Sequence, residues 1–311
     1  MKFALVIFVL YAADCLAQSK NIVELAEELG ATTLVSYVKA AGLESALKGN
    51  GPFTVFGPTN AAFEALPAAV KDKLTKDKDL LKKVLEFHVA SGKAYSSQLS
   101  NNMMVQSLDS TLSIRVNIYQ KESKQVVTVD GAEVVMVDQN ATNGVIHVID
   151  KVMFPLPSED IPKTVAATPN LSTLLYAVAQ GQLAGPLAGS GPFTLFAPNN
   201  AAFDKLPPGA LSDLLVTKLL LSVSLINTYM QFRQWIKIFF TYAVLKYHVV
   251  VACDYSAGLS SGSVQTLEGK SVTIAVTADG VTVDNAKVVT ADIPTSNGVI
   301  HEIDTVLLPP K

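Results

Sequence analysis

Gly51-Pro52-Phe53-Thr54-Val55-Phe56-Gly57-Pro58-Thr59-Asn60-Ala61-Ala62-Phe63 returns 140 residues later as Gly191-Pro192-Phe193-Thr194-Leu195-Phe196-Ala197-Pro198-Asn199-Asn200-Ala201-Ala202-Phe203. A second phrase, Asn143-Gly144-Val145-Ile146-His147-Val148-Ile149-Asp150, returns as Asn297-Gly298-Val299-Ile300-His301-Glu302-Ile303-Asp304, and Phe87-His88 returns as Tyr247-His248. The four histidines of the chain therefore form two matched pairs. A repeat this long is the size of a domain, well beyond the roughly 20 to 50 residues of a stacked solenoid unit, so each copy is expected to own a core.

Around these phrases the periodicity changes in the same order twice. Each copy opens on a helical stripe, Ile22, Leu25, Ala26 and Leu29 in the first, Leu171, Leu174, Leu175 and Val178 in the second. Gly-Pro then introduces a short run of strand formers, Phe53 to Phe56 or Phe193 to Phe196, and Asn60 or Asn200 is expected to cap the next helix. Beyond His88 and His248 apolar residues alternate: Leu112, Ile114, Val116, Ile118, Val127 and Val129, then Val272, Ile274, Val276, Val281 and Val283. Period-two strands joined by Gly, Asp and Asn turns predict a largely antiparallel sheet with one face on the core. Helices first and strands second favour α+β over alternating α/β. The proline-rich stretch Phe154-Pro155-Leu156-Pro157-Ser158-Glu159-Asp160-Ile161-Pro162 reads as a stiff connection, which places a linker at 156–162 between domains at 18–155 and 163–311.

The first residues pair Lys2 with an apolar run from Phe3 to Ala13 and the small-residue stretch Cys15-Leu16-Ala17, a secretory signal over residues 1–17 cut before Gln18. That run is too short for a transmembrane span, and Asp14 disfavours a lipidated Cys15. A secreted, extracellular protein is expected, with glycosylation acceptors at Asn140 and Asn170. Once Cys15 leaves with the signal, Cys253 is the remaining thiol, either a small buried hydrophobe or one half of a bridge between chains. A net charge of -3 with two arginines, Arg115 and Arg233, offers no basic surface for nucleic acid. No nucleophile elbow, metal-binding helix, phosphate loop or dinucleotide fingerprint is present, so neither enzyme activity nor a cofactor is expected. His147 with Asp150, and His301 with Asp304, are spaced to face opposite sides of a strand and do not share a metal. A histidine inside an apolar phrase reads first as structural, which applies to His88, His147 and His301.

The copies differ in length at one place. The offset between them is 140 residues at the Gly-Pro-Phe-Thr phrase but 160 at the central histidine, so an extra segment lies at about 219–242, with the single Trp235 inside it. It reads as an inserted helix, as a membrane- or partner-binding element, or as translated intron. Its uncharged part, Leu219 to Phe232, is short for a span.

The Gly-Pro-Phe-Thr-hydrophobic-Phe-x-Pro-x-Asn-x-Ala-Phe block, the central Tyr-His and the closing Asn-Gly-Val-Ile-His-x-Ile-Asp together resemble the fasciclin-type (FAS1) domain, present twice. The resemblance implies tandem wedge-like β-sandwiches with packed helices, in proteins secreted or held at cell surfaces. It also implies adhesion, through an integrin-like cell-surface receptor or matrix proteins. Matched position by position, Tyr247 and His248 carry the family's Tyr-His adhesion motif, and Asp292-Ile293 its Asp-Ile pair; the first copy has Phe87-His88 and Asp138-Gln139 instead. The second domain is therefore the adhesion candidate. Asp292, as a surface residue, is expected to tolerate Ala at little cost in stability. A second implication of the resemblance is a bound apolar small molecule of carotenoid type, which a mean hydropathy of +0.33 also allows.

Overall fold

A computed structural model describes residues 20–121, 124–154, 159–206 and 242–310 of the 311-residue chain. The signal-like residues 1–17, residues 155–158 with the start of the expected linker, and the extra segment as far as residue 241, Trp235 included, lie outside the described residues. The chain divides into two compact units, Met1–Leu156 and Pro157–Lys311.

In the first unit, α1 (Ile22–Glu28), α2 (Thr32–Ala40) and α3 (Glu44–Leu47) lead to strand β1 (Phe53–Pro58). Helices α4 (Asn60–Glu64), α5 (Ala68–Lys76) and α6 (Lys78–Phe87) follow. Then come β2 (Val89–Ser91), β3 (Met103–Gln106), β4 (Ser113–Lys121), β5 (Lys124–Val129), β6 (Ala132–Ala141) and β7 (Gly144–Ile149). The strand order is β2-β1-β7-β6-β5-β4-β3, and a bridge between Ala90 and Ser107 brings its two ends nearly into closure. Helices and strands segregate along the chain, as α+β requires. The antiparallel expectation holds except for β1, which lies parallel to β7, Phe53 opposite Gly144 and Pro58 opposite Ile149.

That parallel pair separates two cores. Val55 and Ile146 face the helices with Ile22, Leu34, Val38 and Leu85, whereas Phe56 and Ile149 face the inside of the sheet with Phe87, Ile114, Val116 and Val129. A strand covered on both sides turns no face to water, which is why 53–56 reads as a run of strand formers whose one polar residue, Thr54, is buried and hydrogen-bonded. Each fully buried Phe contributes on the order of 2 to 3 kcal/mol. Helix α1 starts where Asn21 accepts from the Val23 and Glu24 N–H groups and the Glu24 carboxylate accepts from Asn21 N–H in return.

In the second unit, α7 (Ile161–Ala167), α8 (Ser172–Gln180), α9 (Ala184–Leu187), β8 (Phe193–Pro198) and α10 (Asn200–Asp204) precede the helical residues 242–247. Strands β9 (Val249–Val250), β10 (Gly262–Gln265), β11 (Ser271–Thr277), β12 (Gly280–Val283), β13 (Ala286–Thr295) and β14 (Gly298–Ile303) complete it in the order β10-β11-β12-β13-β14-β8-β9.

Two sequence expectations change here. The stripe Leu171 to Val178 belongs to α8, the counterpart of α2; the counterpart of α1 is α7, which starts inside the stretch expected as linker. Asp160 caps α7 by accepting from Lys163 N–H at 3.0 Å, and Ile161 is fully buried. Pro162 hid this helix, because a proline in the first turn costs no hydrogen bond yet reads as a connector. The caps expected at Asn60 and Asn200 lie one residue earlier, at Thr59 (3.1 Å to Ala62 N) and Asn199 (2.9 Å to Ala202 N). Asn60 and Asn200 instead accept from Thr33 and Thr173 N–H, both at 3.0 Å. Those are the open starts of α2 and α8, whose own flanking residues, Ala31 and Leu171, make no side-chain cap.

Candidate functional site

The two repeated phrases meet in space. A Cβ at Gly51 would lie 2.1 Å from Asn143 O, and one at Gly144 2.2 Å from Phe53 O, so both glycines are required by close backbone approach. Gly191 and Gly298 repeat this against Asn297 and Phe193. Asn143 pins the junction: Nδ2 donates to Leu47 O and Gly49 O, both 2.7 Å, and Oδ1 accepts from Ile22 N–H at 2.9 Å. Asn297 makes the same set with Leu187 O, Gly189 O and Ile161 N–H. Thr54 and Thr194 lie on the next step of the same strands, donating to Gly92 O and Ala252 O and accepting from Ala94 and Asp254 N–H.

The histidines divide by partner. His88 donates from Nδ1 to Val84 O (2.8 Å) and accepts at Nε2 from Met153 N–H (2.9 Å); His248 does so with Val244 O and Leu307 N–H. Each ties the end of a helix to the last segment of its unit. Burial holds both imidazoles at about 4, below the ordinary 6.5, against the opposing pull of the accepting carbonyl. His147 and His301 donate from Nε2 to Ala94 O and Asp254 O, accept at Nδ1 from Asp138 and Asp292 N–H, and stack on Phe56 and Phe196. Their partners leave no nitrogen for a metal. Among the described residues no group of three or more His, Cys, Asp or Glu is placed to hold one.

Tyr247 and His248 are 2% and 1% exposed, so neither side chain is available to a receptor. Tyr247 belongs to the inner core of the second unit, and its hydroxyl lies 2.9 Å from Ser271 O and 3.0 Å from Asp284 Oδ2. Burial first, and Asp284 second, push the phenol up to about 12. Phe87 has no hydroxyl to offer, and the first unit shows the consequence: Asp130, the counterpart of Asp284, has an enclosed Oδ2 with no hydrogen-bond partner. Burial raises its carboxyl to about 7, against the lowering effects of Arg115 N–H and the Arg115 guanidinium. Phe87→Tyr is expected to supply the donor and stabilise the first unit by about 1 to 2 kcal/mol at pH 8; Tyr247→Phe is expected to cost the second unit as much. Denaturant midpoints check both, and a Phe87→Tyr variant no more stable than its parent refutes the pairing.

Asp292 and Ile293 form a separate arrangement in β13. Asp292 has φ +62° and its carboxylate accepts from Ser256 N–H at 2.7 Å and from Ser256 Oγ; Asp138, φ +57°, repeats both bonds with Ser96. The aspartate is thus common to both units and anchors a loop to the sheet. The expectation that Ala at 292 is nearly neutral is corrected accordingly, since the substitution strips a half-buried loop of its acceptor. Ile293 is half-buried against the helix-side core, where the first unit has Gln139.

Asn140 and Asn170 are exposed. Cys253 is buried with Tyr255 and Val299, which favours the buried-hydrophobe reading over a bridge between chains. Two apolar recesses of the first unit amount to about 20 and about 60 Å³, against about 150 Å³ for a cavity that admits benzene, so neither accommodates a polyene. No helix among the described residues is long and apolar enough to cross a membrane. Sequence reasoning missed Asn143, Asn297, Asp130 and Asp284. The first two open the repeated closing phrase, a signal that was readable; the latter two sit in turns where Asp is common and carries no distinct pattern.

Comparison with known proteins places these features in a wider set. A Fasciclin domain model matches residues 29–155, 169–230 and 241–309, the second unit thus in two segments. Periostin of Homo sapiens is 34% identical over 284 residues, 90% of this chain and 31% of periostin. Transforming growth factor-beta-induced protein ig-h3 of Sus scrofa is 30% identical over 293 residues, 93% of this chain and 39% of that protein. The chain spans between three and four tenths of the length of these two relatives. Immunogenic protein MPB70 of Mycobacterium bovis is 35% identical over 156 residues, 48% of this chain and 69% of that protein. Among solved structures, a FAS1 domain pair from the insect cell adhesion molecule Fasciclin I matches at a TM-score of 0.42 and 20% identity, covering 90% of this chain and 98% of that one.

Proposed function

The chain belongs to the Fasciclin domain family, and on that premise we propose that it is a secreted cell-adhesion or extracellular-matrix protein whose second unit contacts an integrin-like receptor or a matrix protein. The observation that carries the reading is the similarity to periostin and ig-h3 along 90% and 93% of the chain, because it takes in both units. Exposure of Asn140 and Asn170 suits glycan attachment during secretion, and the leader-like residues 1–17 suit export. Tyr247 and His248 act from inside, holding the start of β11, the β12–β13 turn and the C-terminal segment. The receptor contact then falls to the β13 stretch around Asp292 and Ile293.

A plate attachment assay on the full chain tests this. Cells are expected to attach in the presence of divalent cations and to detach with a chelator. Ile293→Gln, which installs the first unit's residue, is expected to reduce attachment several-fold while the melt shows a folded second unit. Without chelator-sensitive attachment by the parent chain the adhesion reading fails; with full attachment by folded Ile293→Gln, the contact lies elsewhere.

A further inference from the structure

Strand β6 meets β5 at its start, Thr128 opposite Glu133 and Val129 opposite Ala132; beyond Val134 it has β7 on one side and, among the described residues, no strand on the other. In the second unit β13 is built alike, joined to β12 at Thr282–Lys287 and Val283–Ala286. An open edge of this kind offers main-chain donors and acceptors to a strand of another molecule, and natural sheets blunt it with a proline, a charge or a cover. The second unit does so at Pro294. This residue sits opposite Val299, has no N–H, and fits there because its nitrogen faces away from β14. The first unit has Asn140 at the same register, opposite Val145, so an N–H faces the open edge instead. The need for cover is greater here, since Val135, Met136 and Val137 of the same strand are exposed at 55, 45 and 40%.

Asn140 also begins Asn140-Ala141-Thr142, the acceptor pattern for N-linked glycosylation, where the second unit reads Pro294-Thr295-Ser296 and has no acceptor. The side chain is placed to serve. Asn140 and Thr142 are exposed, while Ala141 between them is buried. The Tyr95 hydroxyl donates to Asn140 Oδ1 at 3.0 Å and so holds the amide oxygen. The amide nitrogen donates to Asp138 O at 3.3 Å, which needs one of its two hydrogens.

We propose that Asn140 carries an N-linked glycan that covers the open edge of β6, the protection that Pro294 gives β13. The proposal rests on the export part of the proposed function. During export the Asn140 amide nitrogen forms the bond to C1 of the first sugar and gives up one proton, while the lipid diphosphate that carried the oligosaccharide leaves. A glycan is bulky and solvated. Rooted at the residue whose N–H faces outward, it stands where an incoming strand would have to pair.

To test this, the full chain with its own leader is made in a glycosylating eukaryotic cell, and the secreted protein is mapped by mass spectrometry after peptide N-glycosidase, which turns a glycosylated Asn into Asp. Residue 140 is expected to read as Asp. Light scattering at a fixed concentration then follows self-association of the untreated protein. Thr142→Ala, which removes the acceptor pattern but keeps Asn140, is expected to associate several-fold faster than the parent. Asn140→Gln, which keeps an amide beside Tyr95, is expected to do the same and decides the matter if Thr142→Ala disturbs the fold. Asn140→Pro copies the second unit; it too lacks the glycan, yet it is expected to stay close to the parent. A chain retained in the cell overturns the export reading and this proposal together, whereas a secreted chain with bare Asn140 overturns this proposal alone. Glycan-free variants that associate no faster than the parent, or Asn140→Pro associating as fast as Thr142→Ala, overturn it as well.

Discussion

Asn143→Ala is expected to destabilise the first unit by about 2 to 4 kcal/mol, and Asn297→Ala the second by as much, because three backbone groups, two of them in buried hydrogen bonds, lose their partner at once. The groups are the first N–H of a helix, the carbonyl that ends another and the carbonyl of a turn: Ile22, Leu47 and Gly49 in one unit, Ile161, Leu187 and Gly189 in the other. Each costs about 1 kcal/mol or more when left dry. For a unit of this size the melting midpoint should fall by on the order of 10 °C. Asn143→Asp separates hydrogen bonding from packing, since it keeps the acceptor for Ile22 N–H but turns a carboxylate toward two carbonyls. Calorimetry on both variants checks this; an Asp variant as stable as the parent would falsify the account.

Lowering the pH from 7 to 4 is expected to cost the second unit about 3 kcal/mol through His248 alone. The folded value of about 4 lies below the ordinary 6.5, so the unfolded chain takes up the proton first. The stabilisation is complete above 6.5 and is lost as the pH falls through the window down to about 4. His301, which burial also lowers, adds to the loss, while Asp254, which burial raises, works against it. The first unit is expected to respond less. His88 loses stability over the same window, but Asp130, raised from 3.8 to about 7, is better satisfied when protonated, so its contribution is present in acid and lost as the pH climbs through about 7. Hydrogen exchange resolved by unit at pH 7, 5.5 and 4.5 measures the difference, and His248→Gln should flatten the second unit's profile from a lower starting stability. A second unit equally protected at all three values removes His248 from the explanation.

Tandem domains, helices before strands, and the run of strand formers at 53–56 were legible in the sequence because repetition and periodicity relate residues close along the chain. Legibility failed by one residue at the helix caps. Thr59-Asn60 and Asn199-Asn200 each hold two residues able to cap, and the choice was made by a different helix that lacked a cap of its own. It failed more widely at α7, seven residues long with a proline in its first turn, which has too few turns to show a stripe.

The candidate site was legible as residue types and not as surfaces. Tyr247, His248, Asp292 and Ile293 stood out by their difference from the first copy, yet which of them faces water depends on which side of the sheet each faces and what closes over it. The sequence alone determined two copies of one α+β domain and the positions where they diverge. Tertiary structure decided that Asn143 joins Ile22 across 121 positions, that Tyr247 completes Asp284 while Phe87 leaves Asp130 unmatched, and that Glu302 pairs with Asn199 whereas its counterpart Val148 lines a recess. Those outcomes are set by burial and by partners distant in the chain, and the free energy of a polar group depends on whether such a partner arrives, not on its neighbours in sequence.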